Sequence, residues 1–265
     1  MVLFNVNLSF PERLPRDRAS VVTALEARGF TVWNGRIQDI TKRAVHEMNR
    51  RLGLPCTLAP REGAREERVM VKNNFNAHGR PEKLLRPEER ELLGYPPYAP
   101  SPIVNFPEYP VLPRELVPAD WWTSPDLVIE RFVDNRLGLF FRVYFVGYRV
   151  SVSHGRATNT VRRINECEDR VDYLVSRPFL DDPQLAPLLP EPSASVLRAA
   201  RTMADAFCLD YGAVDLVLDE QGLPYVVDVN PTPYWGPVSE GEEEFLQHLR
   251  EGLTEDRPLY SPVSP

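Results

Sequence analysis

Positive charge is in short supply in this sequence. Thirty-one Lys and Arg stand against 38 Asp and Glu, giving a formal net charge of −7. With a pI near 5.3 the chain offers no basic field to duplex nucleic acid, although a local basic pocket for a phosphate is compatible with it. Cysteine is scarce as well. Cys56, Cys167 and Cys208 are odd in number and widely spaced. They form neither a disulfide framework nor a CxxC pair, so a reducing, cytoplasmic setting is expected. The histidines His46, His78, His154 and His248 show no HExxH or paired spacing, which argues against a zinc site. No run of ~18 apolar residues exists to span a membrane. The opening MVLFNVNLSFPERLPR is too short and too polar for a signal peptide.

Proline is what the chain has in excess. It carries 27, against 14 glycines, and 11 of them fall between Pro81 and Pro125. That density forbids a central strand or a long helix there. Elsewhere the 265 residues have an ordinary globular balance, 43% hydrophobic and 26% charged, enough for one large domain or two small ones. Val2–Val6 and Phe30–Trp33 read as strands around a helix over Asp17–Arg28 that Gly29 stops, a reduced βαβ-like unit. Apolar spacing predicts a helix over Asp39–Leu52, capped by Asp39 or Thr41. Glu67–Val71 reads as a strand delivering Lys72 to an Asn-rich loop. Strands follow at Leu127–Phe132, Phe140–Gly147 and Arg149–His154, then a helix over Glu191–Phe207. A hairpin, Ala213–Leu218 with Tyr225–Val229, precedes a short acidic helix over Gly241–Leu249. Pro258–Pro265 is expected to be a loose tail.

The hairpin is the most informative segment. Asp228 and Asn230 lie two apart on the returning strand and share one face. With a four-residue loop, Glu220–Leu223, Asp219 pairs with Pro224 and Asp215 with Asp228. Two carboxylates directly opposed, with Cβ atoms ~4.5–5.5 Å apart, repel each other. A divalent cation removes the repulsion, and two carboxylates with an amide oxygen make a magnesium-type ligand set. A solvated acidic hairpin is the bland alternative. The apolar run Tyr225-Val226-Val227 and the ending Asn230-Pro231-Thr232-Pro233 weigh against it.

The segment Gly212-Ala213-Val214-Asp215 with Gly222…Tyr225-Val226-Val227-Asp228-Val229-Asn230-Pro231-Thr232-Pro233 resembles the C-terminal core of ATP-grasp enzymes. The gap of 13 residues between the two aspartates is that of the family's D-alanine–D-alanine ligases. The resemblance implies that Asp215, Asp228 and Asn230 bind two magnesium ions holding ATP. Thr41-Lys42-Arg43, leading to Gly53-Leu54-Pro55, and Val69-Met70-Val71-Lys72 match the family's two phosphate lysines. Val128-Ile129-Glu130-Arg131-Phe132-Val133 is similar to its adenine hinge, implying that Glu130, Arg131 and Val133 line the base. Phe141–Gly147 resembles a strand of the ribosomal-protein glutamate ligases. On that match Arg156, Arg163 and Asn165 fall at phosphate or third-metal positions, and Arg142, Arg156 and Arg163 become the candidates for stabilising the transferring group. The likeness runs from about Lys42 to Gly236.

Departures from the family pattern accompany the matches. The loop after Lys72 has one glycine, Gly79, instead of a Gly-Ser clamp, so Asn74 and His78 become candidates to cover the γ-phosphate or touch substrate. Ala213 replaces an arginine that D-alanine ligases use, so D-alanine is not the expected substrate. The resemblance implies an α/β (α+β) ATP-grasp fold. It would comprise a reduced N-terminal unit (1–38), a first subdomain and lid with the proline-rich segment (39–126), a C-terminal antiparallel sheet core (127–256) and a tail (257–265). The implied reaction is ADP-forming ligation: ATP activates a carboxylate of a small molecule or peptide, and an amine attacks the acyl phosphate. His78 or His154 would be candidates to take the amine proton. A kinase or a non-catalytic nucleotide-binding protein is the alternative. The short N-terminal unit leaves room for a homodimer that completes the site.

Overall fold

The computed structural model describes residues 1–3, 18–79, 84–92, 109–159, 164–181, 184, 193–233, 242–255 and 258–260. The fold is mixed α/β, with antiparallel sheets of five and three strands and a small parallel pair. The pair is β1 (Val2–Leu3) and β2 (Val32–Trp33), joined through α1 (Arg18–Glu26), as the βαβ-like reading anticipates. The strands are shorter than expected, and residues 4–17 lie outside the described set. The unit docks through Asn34. Its amide donates to Asp210 at 2.9 Å, and its side chain exchanges hydrogen bonds with the Tyr211 backbone at 2.7 and 2.9 Å.

Helix α2 spans Lys42–Arg51, and of the two expected caps it uses Thr41, whose Oγ1 accepts from Ala44 N at 3.2 Å. Strand β3 (Arg68–Asn73) follows; Lys72 therefore lies within the strand rather than after it. It is the centre of the three-stranded sheet, flanked by β4 (Val111–Pro113) and β5 (Leu127–Arg131). The proline-rich segment thus holds more regular structure than its composition suggests. It supplies a short helix, α3 (Pro87–Leu92), and the edge strand β4. An edge tolerates proline because the carbonyl still accepts: Val71 N donates to Pro110 O at 3.0 Å. Residues 93–108 of that segment are outside the described set.

The five-stranded sheet runs in the order β10-β9-β6-β7-β8. Its strands are β6 (Leu139–Val146), β7 (Arg149–Arg156), β8 (Glu168–Ser176), β9 (Tyr211–Leu218) and β10 (Pro224–Asn230). One face carries the main core. Phe141, Val143 and Phe145 of β6 pack there with Val214, Leu216, Val226 and Val229, under α2 and α4 (Ser193–Ala206). α5 (Glu242–Glu255) packs on the opposite face through Phe245 and Leu249, against Tyr144 and Ala213. Strand β8 has no counterpart in the sequence reading. It opens with charged residues, and its apolar stretch, Tyr173-Leu174-Val175, is half-buried but too short to mark a strand by period.

The hairpin reaches the expected carboxylate pairing by an unexpected route. Leu218, not Asp219, pairs with Pro224, so the loop has one residue more than supposed. A β-bulge then inserts Val227 between the pairs Val226↔Leu216 and Asp228↔Asp215 and restores the opposition. Asp219 builds the turn, its Oδ1 accepting from Gln221 N at 3.0 Å and Leu223 N at 2.8 Å, with Gly222 at φ +79°. Gly212 keeps the strand ends close, because a Cβ there would stand 2.7 Å from Asn230 O.

The described start of the tail is not loose. Leu259 and Tyr260 amides donate to Asp210 Oδ1 at 2.6 and 3.1 Å, and Tyr260 Oη donates to Asp205 at 2.6 Å. Arg177 anchors this corner. It is 2% exposed, donates to Asp205 at 2.8 Å and to Leu209 O at 2.7 Å, and lies 4.8 Å from the Phe145 ring centroid. Asp205 is 41% exposed and can be solvated without Arg177, but the Leu209 and Gly147 carbonyls would lose a buried donor. Arg177→Ala is therefore expected to lower stability by about 1–3 kcal/mol in chemical denaturation. A loss under about 1 kcal/mol, the scale of an exposed pair, would show that the corner is not a structural hub.

Candidate active site

The site forms where the three-stranded sheet faces α2 and the end of the β9–β10 hairpin. Helix α2 supplies one polar face, because Lys42, His46 and Asn49 recur at helical spacing and all are buried. The amides at its N-terminus are taken up by Asp39 and by Asn74, which follows β3. Asp39 Oδ1 accepts from Thr41 N at 2.7 Å, Asn74 O from Lys42 N at 2.9 Å and Asn74 Oδ1 from Arg43 N at 3.0 Å.

Glu130 is the hub of the first half of the site. It is 3% exposed and accepts from Lys72 Nζ at 2.8 Å, His46 Nε2 at 3.0 Å and Thr57 Oγ1 at 3.4 Å. Burial alone would push its carboxyl up, but Lys72 and His46 outweigh this and hold it well below the usual range. His46 shows the reciprocal effect. Burial disfavours the imidazolium, yet Glu130 pushes His46 up to about 9. Tyr109 lies beside Lys72, its ring centroid 6.0 Å from Nζ.

The second half is a row of directly opposed residues across the five-stranded sheet: Asp228, Asp215, Arg142, Ser153 and Asp172. Arg142 holds Asp215 with two parallel bonds of 2.6 and 2.7 Å. Burial raises the Asp215 carboxyl and Arg142 draws it back. Lys42 Nζ reaches Asp228 Oδ1 at 3.3 Å and joins the two halves. Burial opposes the Lys42 charge, but Asp228 more than compensates and raises its pKa. Asn230 lies on the face of Asp228, and its Oδ1 accepts from Thr232 N at 2.9 Å. Among the described residues no three His, Cys, Asp or Glu side chains cluster as a metal site; the hairpin offers two carboxylates and an amide.

Lys42, Lys72, Glu130, Arg142, Asp215 and Asp228 thus come together, with Asn230 beside them. Other expected residues do not join them. Arg156 pairs with Leu139, three positions from Arg142, so alternation puts it on the opposite face. It is exposed and donates to Leu137 O at 2.6 Å. His154, opposite Phe141, also lies on the far face, near Tyr173. Asn74 is buried and spent on structure, its Nδ2 donating to Pro125 O at 3.1 Å and its Oδ1 held by Arg43 N. It is not free to cover a phosphate. Arg163 and the His78 side chain lie outside the described residues. At the expected hinge, the Arg131 amide donates to Thr57 O at 2.7 Å and its side chain reaches Glu67 at 3.4 Å. Val133 follows, its carbonyl accepting from Asn135 N at 2.9 Å. His46 and Thr57 are the participants that sequence reasoning missed. The position of His46, four residues after Lys42 on one helical face, is the signal that could have found it.

No family model and no curated protein matches the chain. Solved ATP-grasp ligases do. An ATP-grasp ligase PsnB complexed with minimal precursor is 14% identical, with a TM-score of 0.45, over 88% of this chain and 64% of that one. A RiPP-associated ATP-grasp ligase from Chryseobacterium gregarium, in complex with ADP and a leader and core peptide, is 12% identical, with a TM-score of 0.49, over 91% of this chain and 70% of that one. An L-amino acid ligase from Bacillus licheniformis is 16% identical, with a TM-score of 0.41, over 84% of this chain and 49% of that one. The chain therefore spans between about half and two thirds of the length of several such ligases.

The Glu130 hub has a pH signature. His46 has its folded pKa raised from 6.5 to about 9, so its contribution is complete below the unfolded value and is lost as pH rises through about 9. Stability is expected to fall by on the order of 2–3 kcal/mol between about pH 6.5 and 9.5. In His46→Gln that part of the slope should vanish in denaturation curves run across the range; an unchanged slope would assign it to other groups.

Proposed function

We propose that the site binds the phosphates of MgATP and joins a carboxylate to an amine with release of ADP. The observation that carries this reading is the convergence of cations where β5 of the three-stranded sheet faces the hairpin. Lys42, Lys72, His46 and Arg142 stand against the carboxylates Glu130, Asp215 and Asp228, leaving an excess positive charge for a polyphosphate. Lys42 and Lys72 would contact phosphate oxygens, and Arg142 would neutralise charge on the transferring group. Glu130 then acts through Lys72, fixing its ammonium instead of touching the nucleotide.

The donor set suits a hard divalent cation. Asp228 is opposed to Asp215, its side chain is 24% exposed, and it gives only Oδ1 to Lys42; Asn230 adds an amide oxygen on the same face. Asp215, Asp228 and Asn230 would hold magnesium, whose charge would offset that of the phosphates. The acyl phosphate so formed needs no protein nucleophile; an amine displaces phosphate and gives the amide.

Two variants and one assay test it. Lys72→Ala should weaken MgATP binding at least tenfold by calorimetry, and unchanged affinity would remove its phosphate role. Asp228→Ala should abolish ADP release while circular dichroism remains native; near-normal turnover would sink the metal assignment. In the parent protein, ADP release should require a carboxylate and an amine together. Release with one substrate and a stable phosphorylated product would instead mark a kinase.

A further inference from the structure

His46 connects the buried hub to a thiol. Its Nε2 is 3.0 Å from Glu130 Oε1, and its Nδ1 is 3.7 Å from Cys56 Sγ. Glu130 in turn holds Lys72, so a continuous line runs Cys56–His46–Glu130–Lys72. His46 and Glu130 are 1% and 3% exposed, whereas Cys56 is only half-buried. The sulfur is therefore the end of the line nearest solvent. Cys56 is held there by Pro55 and by the turn that ends α2, where Leu54 N donates to Asn49 O at 2.8 Å.

We propose that Cys56 is a peroxide-reactive thiol, the nucleophilic end of a Cys56–His46–Glu130 relay. Glu130 fixes the ring with one nitrogen toward the carboxylate and the other toward sulfur, an arrangement that pairs thiolate with imidazolium. A protonated thiol has the His46 carbonyl as its alternative partner, at 3.6 Å. The groups facing sulfur favour the thiolate. Burial raises the thiol, but the His46 ring, the Leu58 amide and the Arg50 charge outweigh it and lower its pKa. Cys208 provides a contrast within the molecule: burial and nearby Asp210 raise its thiol.

The step is balanced with hydrogen peroxide as oxidant. The thiolate attacks one peroxide oxygen, an S–O bond forms as the O–O bond breaks, and sulfur loses two electrons to the peroxide. The departing hydroxide takes the proton from His46 Nδ1 and leaves as water. His46 keeps its Nε2 proton on Glu130, and a sulfenic acid remains, which thiols can reduce. The inference does not depend on which ligand the neighbouring pocket takes.

The full chain would be exposed to limiting hydrogen peroxide at pH 7, trapped with dimedone and mapped by peptide mass spectrometry. Cys56 should be trapped at least tenfold faster than Cys167 or Cys208. Equal rates would overturn the proposal. His46→Gln should slow trapping at Cys56 at least tenfold and leave the other two unchanged; an unchanged Cys56 rate would also overturn it. If that variant does not fold, the pH profile of iodoacetamide labelling in the parent protein decides. The Cys56 inflection should lie below that of Cys208, and one at or above it contradicts the relay.

Discussion

A carboxylate with almost no solvent is tolerated only when cations and hydrogen bonds replace its hydration, because removing one ion from water costs several kcal/mol. Glu130 meets that condition with Lys72, His46 and Thr57. Each partner comes from a different stretch of chain: β3, α2 and the segment that follows α2. Satisfying one charge therefore fixes three segments relative to β5. It also fixes the Lys72 ammonium, 6.0 Å from the centroid of the Tyr109 ring. The electrostatic requirement of one residue thus organises half of the site.

Helix α2 carries the same logic to the larger sheet. Its apolar positions, Val45 and Met48, pack on the main core. Its polar positions face the hairpin instead: Lys42 meets Asp228, and Asn49 donates to Val226 O at 3.1 Å. The Asn49 bond falls at the bulge, where β10 departs from regular pairing. A carbonyl next to a bulge is less well served by its neighbouring strand, and a buried amide is a suitable partner for it. The helix is thus wedged between two sheets: both ends of its polar stripe bond the hairpin, and His46 between them bonds Glu130 of β5. Replacing that stripe with apolar residues would preserve its packing but lose the register of site residues.

Much of this was legible in the sequence. The carboxylate hairpin, both lysines, Arg142 and the helix that presents Lys42 follow from spacing and from the resemblance. What escaped has physical reasons. The pairing of Asp215 with Asp228 depends on a bulge at Val227 that cancels a one-residue error in the loop, and local pattern does not reveal bulges. Strand β8 hides because its first half is charged and its apolar part, Tyr173-Leu174-Val175, is only three residues long, although it packs on both faces of the sheet. Arg156 has the right spacing in the chain but the wrong parity in the sheet, since three positions along a strand reverse the face. Asn74 looked available because asparagine in a loop resembles a ligand. Its backbone and side chain instead close the N-terminus of α2, a role visible only once helix and loop are adjacent.

The arrangement of charge then bears on how a ligand would enter. Lys42 and Arg142 are engaged with Asp228 and Asp215, so the cations and carboxylates that the proposed reading needs are neutralising one another. Such pairing makes the burial of both signs tolerable. It also means that phosphate affinity reports a difference: new contacts to the cations minus the loss of their carboxylate partners. On the proposed reading, a polyphosphate drawing on Lys42 and Arg142 leaves Asp228 and Asp215 as a surplus of negative charge on one face, which a divalent cation would balance. Polyphosphate and cation would then bind cooperatively, because each removes the electrostatic cost of the other. Lys72 differs, since Glu130 is buried behind it and has other partners, so its ammonium can meet a phosphate without releasing an unpaired carboxylate.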